Sequence, residues 1–179
     1  MAGKPLVLIT GAGGNLGRSL AAALGADYRI VGLDLRASDE PFPILAADLS
    51  DEASLARALD QIAAGHGRRI ASVIHLAAYF DFTGEEDPRY ESINVAGTRN
   101  LLRALQPFEV EQFLYTSTML VHAPGRPGEA IDEAQPIDPR WAYPKSKARA
   151  EQTIAAEHGR IPYVILRLAG VYDERSSVP

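Results

Sequence analysis

A glycine-rich segment that directly follows an apolar run places the strongest constraint on how this sequence folds. Residues 5–10 (PLVLIT) are almost all apolar, which is typical of a strand buried on both faces of a parallel sheet. Residues 10–17 (TGAGGNLG) follow at once, and a helical pattern occupies residues 16–24. This arrangement predicts a phosphate-binding turn, because the free N–H groups and partial positive charge of a helix N-terminus attract phosphate.

Three glycines and one acidic residue extend this prediction to a dinucleotide. Gly11 permits the tight turn, Gly14 lets the backbone approach a pyrophosphate, and Gly17 allows close packing of helix against strand. Asp34 follows the next apolar run, roughly 20 residues after the glycines, where a carboxylate can accept both hydroxyls of an adenosine ribose. Because that charge would repel a 2′-phosphate, the sequence favours NAD over NADP.

Strand and helix patterns alternate along the whole chain. Apolar runs predict strands at residues 5–10, 28–33, 43–47, 70–76, 113–117 and 163–168. Helical patterns occupy residues 16–24, 50–64, 88–105 and 143–158, with Ser50 as the predicted N-cap of the second. This alternation predicts an α/β fold, a doubly wound parallel sheet of the Rossmann type with helices on both faces. Such sheets bind ligands at the carboxyl ends of their strands.

Several polar residues near the predicted strand ends have two interpretations each. Arg18 and Arg36 keep NADP possible, since either can pair with a 2′-phosphate. Asp48 can reach an adenine edge, or it can cap the following turn. For His75, which lies among apolar residues, a satisfied buried histidine is favoured over a catalyst or ligand. The proline-rich loop 121–141 is predicted to form an active-site rim.

Composition excludes several other classes of function. A net charge of −5 with scattered basic residues gives no support to a nucleic-acid partner. The sequence has no cysteine, which excludes disulfides and thiolate catalysis within it and fits a reducing, cytoplasmic location. We predict no metal site. No membrane partner is predicted, because the apolar run near the N-terminus is short and soon interrupted by glycines.

A tyrosine and a lysine four residues apart supply the candidate chemistry. Tyr143 and Lys147 would share a face of the predicted helix, so that the ammonium can stabilise a phenolate and lower the tyrosine pKa. Such a tyrosine is a usable general acid/base. Hydroxyls of the Thr116–Thr118 segment can hold the reacting oxygen, or they can satisfy their own backbone. Asn94 is a poor helix former inside a predicted helix, which favours a role in ordering water or backbone near the lysine.

Together these segments resemble the extended short-chain dehydrogenase/reductases, in particular the NAD-dependent epimerase/dehydratase family. The resemblance covers the whole chain. It is carried by ordered motifs: TGAGGNLG at Thr10, Asp34, DL at Asp48, HLAA at His75, NVAGT at Asn94, Thr116–Thr118, YPKSK at Tyr143 and LRLAGVY at Leu166.

The resemblance implies a role for each matching residue. Tyr143 would be the general acid/base, Lys147 would bind the nicotinamide ribose and lower the tyrosine pKa, and Thr118 would hydrogen-bond the reacting oxygen. Asn94 would be the structural asparagine of the proton-relay region, and Asp34 the ribose ligand. The predicted cofactor contacts are Gly11, Gly14, Asn15, Leu16, Gly17, Asp34, Leu35, Arg36, Asp48, Leu49, Leu76, Ala77, Ala78, Asn94, Thr116, Ser117, Tyr143 and Lys147.

The implied activity is that of an NAD-dependent oxidoreductase or epimerase acting on a hydroxyl-bearing substrate, with a sugar or nucleotide-sugar favoured. Plain ketone or aldehyde reduction uses the same machinery and is the first alternative. A non-catalytic NAD(P)-sensing protein is the second, and the presence of both Tyr143 and Lys147 argues against it. The family also implies a homodimer through the helices that carry Asn94 and Tyr143, where Ala96, Ala148 and Ala155 would permit close approach.

Three departures from the family pattern limit the expected substrate. His122 and Ala123 stand where the family usually has Tyr-Gly, and Gly170 replaces an asparagine that often helps to hold a nucleotide-sugar. The sequence ends at Pro179, whereas family members usually continue well beyond this point. We therefore expect a truncated chain, in which residues 1–179 form the NAD(P)-binding domain and the C-terminal substrate lobe is largely absent.

Overall fold

The computed structural model describes residues 3–39, 41–81, 83–126, 128 and 130–171. The strands are β1 (Leu6–Thr10), β2 (Arg29–Asp34), β3 (Ile44–Ala46), β4 (Arg69–Ile70), β5 (Ser72–His75), β6 (Glu109–Val110), β7 (Phe113–Thr118) and β8 (Tyr163–Leu168). The α-helices are α1 (Asn15–Leu24), α2 (Glu52–His66), α3 (Thr98–Leu105) and α4 (Ala142–Glu157). Tyr172 of the last motif and the segment up to Pro179 lie outside the described residues.

Six parallel strands form the central sheet in the order β3-β2-β1-β5-β7-β8. The strand order reverses at β1, which pairs with β2 on one side and with β5 on the other. The carboxyl ends of β1 and β5 therefore flank the switch point, where open α/β sheets bind their ligands. The predicted doubly wound parallel fold is confirmed.

Alternating side chains of β1 feed two separate cores, one on each face of the sheet. Leu6 and Leu8 join the larger core, which α2, α3 and α4 cover. Val7 and Ile9 join a smaller core on the opposite face, where Ala21 of α1 packs. This division follows from the two-residue period of a strand, which sends successive side chains to opposite faces. None of the described helices is both long and apolar enough to cross a membrane.

Two predicted boundaries were wrong in instructive ways. Asp51, not Ser50, caps α2, because its carboxylate accepts a hydrogen bond from the N–H of Ala53 at 2.9 Å. Ser50 instead donates its hydroxyl to the carboxylate of Asp48 at 2.6 Å. The predicted strand 70–76 is interrupted at Ala71, so that β4 pairs with β6 in a separate two-stranded sheet.

The predicted helix 88–105 contains an unexpected segment. Tyr90–Gly97 is a π-helix, and α3 continues from it at Thr98. Within this segment the polar Asn94 is buried, whereas the apolar Ile93 is only half-buried. Segments of this kind are rare and frequently occur at functional sites.

Candidate active site

A cleft of about 880 Å³ lies at the carboxyl ends of β1, β2, β3 and β5. The predicted cofactor residues that line it are Gly11, Gly14, Asp34, Leu35, Arg36, Asp48, Leu49, Leu76, Ala77 and Ala78. Three other predicted residues, Asn15, Leu16 and Gly17, belong to α1, which begins at this cleft. A second cavity of about 740 Å³ lies near the opposite ends of the strands and contains none of the predicted residues.

The glycine-rich turn meets close neighbours at two of its three predicted positions. Gly11 has a φ of +68°, and a Cβ there would lie 2.8 Å from the backbone nitrogen of Ala77. A Cβ on Gly17 would lie 2.7 Å from the Cα of Ala12. A Cβ on Gly14 would meet only the Gly11 oxygen, at 3.3 Å. The turn and packing roles of Gly11 and Gly17 are thus confirmed, and the role of Gly14 toward a pyrophosphate stays a prediction.

The first turn of α1 suits a phosphate group. No side chain caps the helix, whose N-cap residue is Gly14. The N–H groups of a first helical turn have no partner within the helix, so an uncapped turn retains donors for a ligand. Arg18, one turn further, donates from Nε to the carbonyl oxygen of Gly13 at 2.9 Å and thereby braces the turn.

Asp34 lies at the end of β2 beside this turn. One carboxylate oxygen accepts a hydrogen bond from the N–H of Gly13 at 2.8 Å, and the other accepts one from the N–H of Leu35 at 2.7 Å. The carboxylate is only half-buried and lines the cleft, so it keeps acceptor capacity for ribose hydroxyls. Asp48 also lines the cleft, and its side chain accepts from the N–H of Ser50 at 2.9 Å, which is the turn role that the sequence had allowed.

His75 is a satisfied buried histidine, as predicted. Its Nε2 donates to the Thr98 hydroxyl at 2.9 Å, because that hydroxyl gives its own hydrogen to the carbonyl oxygen of Asn94. Its Nδ1 therefore accepts from the Thr10 hydroxyl at 2.6 Å. Burial, and secondarily the charge of Lys147, lower the pKa of His75 to about 3. The ring is neutral at physiological pH and joins β1, β5 and α3.

Asn94 connects the loop after β5 to α4. Its oxygen accepts from the N–H of Tyr79 at 2.7 Å, and its amide nitrogen donates to the Tyr79 carbonyl at 3.0 Å. The same nitrogen donates to the hydroxyl of Ser146 at 2.8 Å. The amide thus orders backbone beside the cleft and contacts the residue next to Lys147, in agreement with the predicted backbone-ordering role.

The structure places Tyr143 and Lys147 in the first two turns of α4. Pro144 is compatible with the helix because a first-turn residue needs no N–H. Lys147 is 2% exposed, and its Nζ lies 4.2 Å from the ring centroid of Tyr115. Burial lowers the pKa of Lys147 to about 7, and the negative charge of Glu151 opposes that decrease.

The predicted decrease in the pKa of Tyr143 was wrong for this structure. Burial raises that pKa, and electrostatic interaction with Tyr90 raises it further. The i, i+4 spacing fixes the helix face but not the position of the ammonium, which lies over the Tyr115 ring. Desolvation of the phenolate is therefore the dominant influence.

The three hydroxyls at the end of β7 have different partners. Thr116 donates to the carbonyl oxygen of His75 at 3.0 Å, and Thr118 accepts from the N–H of Leu120 at 3.2 Å. Both bonds fit the backbone-satisfying interpretation. Ser117 donates to Glu151 at 2.5 Å, which directs it toward α4. Contact of these residues with a cofactor or substrate stays a prediction.

A partly buried ionic network that includes α4 was missed by the sequence analysis. Arg167 makes a bidentate ion pair with Glu151, with its Nη2 at 2.7 Å and its Nε at 3.1 Å from the carboxylate oxygens. The Nη1 of Arg167 donates to Nε2 of His122 at 3.2 Å, and Nδ1 of His122 donates to the carbonyl oxygen of Gln135 at 2.9 Å. The one sequence signal for Glu151 was its position four residues after Lys147. The network also anchors the rim loop 121–141 at His122.

Aromatic rings surround Tyr143. The Phe80 ring meets it edge-on, with centroids 4.6 Å apart, and the Trp141 ring lies 5.7 Å away. Tyr90 is 6.5 Å away and contacts Tyr79 at 4.9 Å. The sequence analysis did not anticipate this cluster, because its members come from three separate segments of the chain.

Comparison with known proteins shows the family. Residues 7–178 match the NAD dependent epimerase/dehydratase family. The chain belongs to this family. The family expected from the ordered motifs is therefore confirmed. NAD is the cofactor of this family.

Relatives in this family differ in the reactions that their names describe. N-acetyl-alpha-D-glucosaminyl-diphospho-ditrans,octacis-undecaprenol 4-epimerase of Escherichia coli O157:H7 is 32% identical over 95% of this chain and 50% of its own length. A 4-hydroxy-2-methyl-3-oxo-4-farnesyl-3,4-dihydroquinoline-1-oxide ketoreductase of Stigmatella aurantiaca is 31% identical, over 84% of this chain and 45% of its own.

A solved structure supports the same assignment. The Thermus thermophilus UDP-glucose 4-epimerase in complex with NAD superposes with a TM-score of 0.77 at 28% identity, covering 90% of this chain and 54% of that one. The chain thus spans about half the length of the proteins to which it is similar.

Proposed function

We propose that this chain is the NAD-binding, proton-transferring part of an oxidoreductase or epimerase that acts on a hydroxyl or carbonyl group. The observation that carries the proposal is the juxtaposition of two features. The dinucleotide cleft lies at the carboxyl ends of β1 and β2, and Tyr79 is part of its lining. Asn94 hydrogen-bonds to Tyr79 and to Ser146 of α4, and thereby connects the cleft to the helix that carries Tyr143 and Lys147. The sugar-acting relatives favour a sugar or nucleotide-sugar substrate.

The described residues fit the cofactor. The uncapped turn of α1 would hold the pyrophosphate, and Asp34 the adenosine ribose. Lys147 is buried, but none of the described residues accepts a hydrogen bond from its Nζ, so this ammonium has donors for the nicotinamide ribose. When bound, NAD would supply a hydride acceptor for the carbon that carries the substrate hydroxyl, or in its reduced form a hydride donor for a carbonyl carbon.

Tyr143 would move the accompanying proton. In oxidation its phenolate removes the hydroxyl proton, and in reduction its phenol donates a proton to the carbonyl oxygen. Thr118 would hold the same oxygen by a hydrogen bond. The ammonium of Lys147 would favour the phenolate, in opposition to the burial that raises the pKa of Tyr143.

Carbonyl reduction is the second candidate, since a relative at 31% identity is named a ketoreductase. Burial raises the pKa of Tyr143 further above neutral pH, so the phenol is its resting form. A protonated tyrosine can donate to a carbonyl oxygen at once, whereas oxidation of an alcohol first requires its deprotonation. Net consumption of NADH would identify a reductase, since an epimerase regenerates its cofactor.

A homodimer through the helices of Asn94 and Tyr143 extends the proposal. Ala155 is exposed on α4, and Ala96 is partly exposed on the neighbouring π-helix, so both small side chains are accessible to a second copy. Ala148 is buried and belongs to the packing within the chain.

Substitution Tyr143→Phe in the full-length protein tests the function. We expect turnover with NAD(H) to fall by about 10²–10⁴-fold, the usual contribution of a general acid/base, with NAD affinity nearly unchanged. Tyr163→Phe on β8 is the matched control, because it removes a phenol that faces the larger core. Full activity in the Tyr143→Phe protein would refute the assignment.

A further inference from the structure

Phe80 and Trp141 form an aromatic wall beside the proposed proton donor. Their ring centroids are 6.3 Å apart, and each ring contacts Tyr143. Phe80 is 42% exposed although it is a large apolar side chain, and Trp141 is half-buried. A molecule whose oxygen reaches Tyr143 would therefore lie close to these two rings.

The backbone fixes both members of the wall relative to Tyr143. Trp141 is the N-cap residue of α4, and its carbonyl oxygen accepts the helical hydrogen bond from Lys145 at 3.1 Å. Phe80 follows Tyr79, whose N–H and carbonyl are both held by Asn94. The wall is thus held by the same helix and the same amide that position the proposed chemistry.

Two arginines close in sequence to the residues around the wall are already paired. Arg89 donates to Asp87 at 2.7 Å and to the Tyr79 hydroxyl at 2.9 Å. Arg140, next to Trp141, makes an ion pair with Asp138 at 2.7 Å. An anionic group placed against the wall would therefore compete with existing ion pairs, whereas a C–H surface would replace water on two aromatic rings.

We propose that Phe80 and Trp141 determine substrate specificity by binding the C–H face of a saturated six-membered ring that carries the reacting hydroxyl or carbonyl. The inference depends on the proposed function, since it takes Tyr143 as the group that receives the oxygen. Rings of this shape occur in pyranose sugars and in carbocyclic alcohols. Both present axial C–H bonds to an aromatic surface and an oxygen at the ring edge.

Steady-state kinetics on the full-length protein test the wall with three probes. Cyclohexanone represents the carbocycle, UDP-glucose the pyranose, and hydroxyacetone an acyclic carbonyl compound without a ring face. We expect Phe80→Leu and Trp141→Leu each to lower the ratio of kcat/KM for the preferred ring probe to that for hydroxyacetone at least tenfold, mainly through KM. Phe108→Leu is the matched control, because Phe108 packs on the larger core under Arg68.

Trp141 fluorescence gives a second readout that does not depend on turnover. The preferred ring probe should quench the emission component that is lost in Trp141→Phe, with a dissociation constant that increases about tenfold in Phe80→Leu. The proposed role of the wall would be contradicted if the substitutions lowered kcat/KM equally for ring and acyclic probes. It would also be contradicted if neither ring probe bound at millimolar concentration. If Tyr143→Phe keeps full turnover, the proposed function fails instead, so the two failures are distinguishable.

Discussion

At the scale of single residues, His75 is a titratable group that is fully removed from water. Both ring nitrogens are hydrogen-bonded, to Thr10 and to Thr98, and burial lowers its pKa to about 3. In the unfolded chain the same ring binds a proton near pH 6.5. Between these two values the unfolded state binds more protons than the folded state, and acid therefore favours unfolding.

The stability of the protein should accordingly depend on His75 in mild acid. We expect the free energy of unfolding to be constant above pH 6.5 as far as His75 is concerned, and to fall by roughly 1.4 kcal/mol per pH unit as pH decreases toward 3. Urea denaturation across this range measures the slope, which should flatten in His75→Gln but persist in the half-buried control His158→Gln. An NMR titration of the wild-type imidazole is independent of any variant, and a midpoint near 6.5 would contradict the burial argument.

At the scale of elements, α4 carries three titratable side chains at four-residue intervals. Tyr143, Lys147 and Glu151 lie on one face, and Glu151 raises the pKa of Lys147 against the effect of burial. Arg167 and Ser117 hold the carboxylate from the opposite side. The helix therefore includes its own counter-charge for the buried ammonium.

Substitution Glu151→Gln tests that counter-charge. Without the carboxylate, burial acts alone, so the pKa of Lys147 should fall further below its value of about 7. If the charged ammonium is the active form, the alkaline limb of the pH profile of kcat/KM should move to lower pH. Glu157→Gln is the control, since Glu157 lies on the same helix but pairs with Arg99 near the surface. If wild type and Glu151→Gln gave superimposable pH profiles of kcat/KM, Glu151 would have no influence on the active protonation state.

The accuracy of the sequence-based prediction differed between elements for physical reasons. The continuous apolar run of β1 determined its type, because a strand buried on both faces needs apolar side chains at every position. The spacing of Ile93, Gly97 and Leu101 also fits an α-helix, so the π-helix could not be predicted from it. Ser50 and Asp51 are adjacent and both suit an N-cap, and the sequence does not show which side chain reaches the N–H of Ala53.

At the scale of the whole molecule, the fold brings distant residues together in ways that a linear sequence does not record. Ser117 and Arg167 are register partners on β7 and β8, and this register brings Arg167 to Glu151 and to His122. The glycine turn and Asp34 could be predicted, since the switch point of a doubly wound sheet places them together. The ionic network and the aromatic wall required the tertiary structure.

Calorimetric titration of NAD and NADP into the full-length protein tests the account most directly, because every proposed step requires the cofactor in the cleft between Gly14 and Asp34. We predict that NAD binds and that NADP binds at least roughly tenfold more weakly, a difference of about 1.4 kcal/mol. In Asp34→Ser the difference should shrink, because the charge that repels a 2′-phosphate is gone. The absence of binding by either nucleotide, or tighter binding of NADP, would contradict the account.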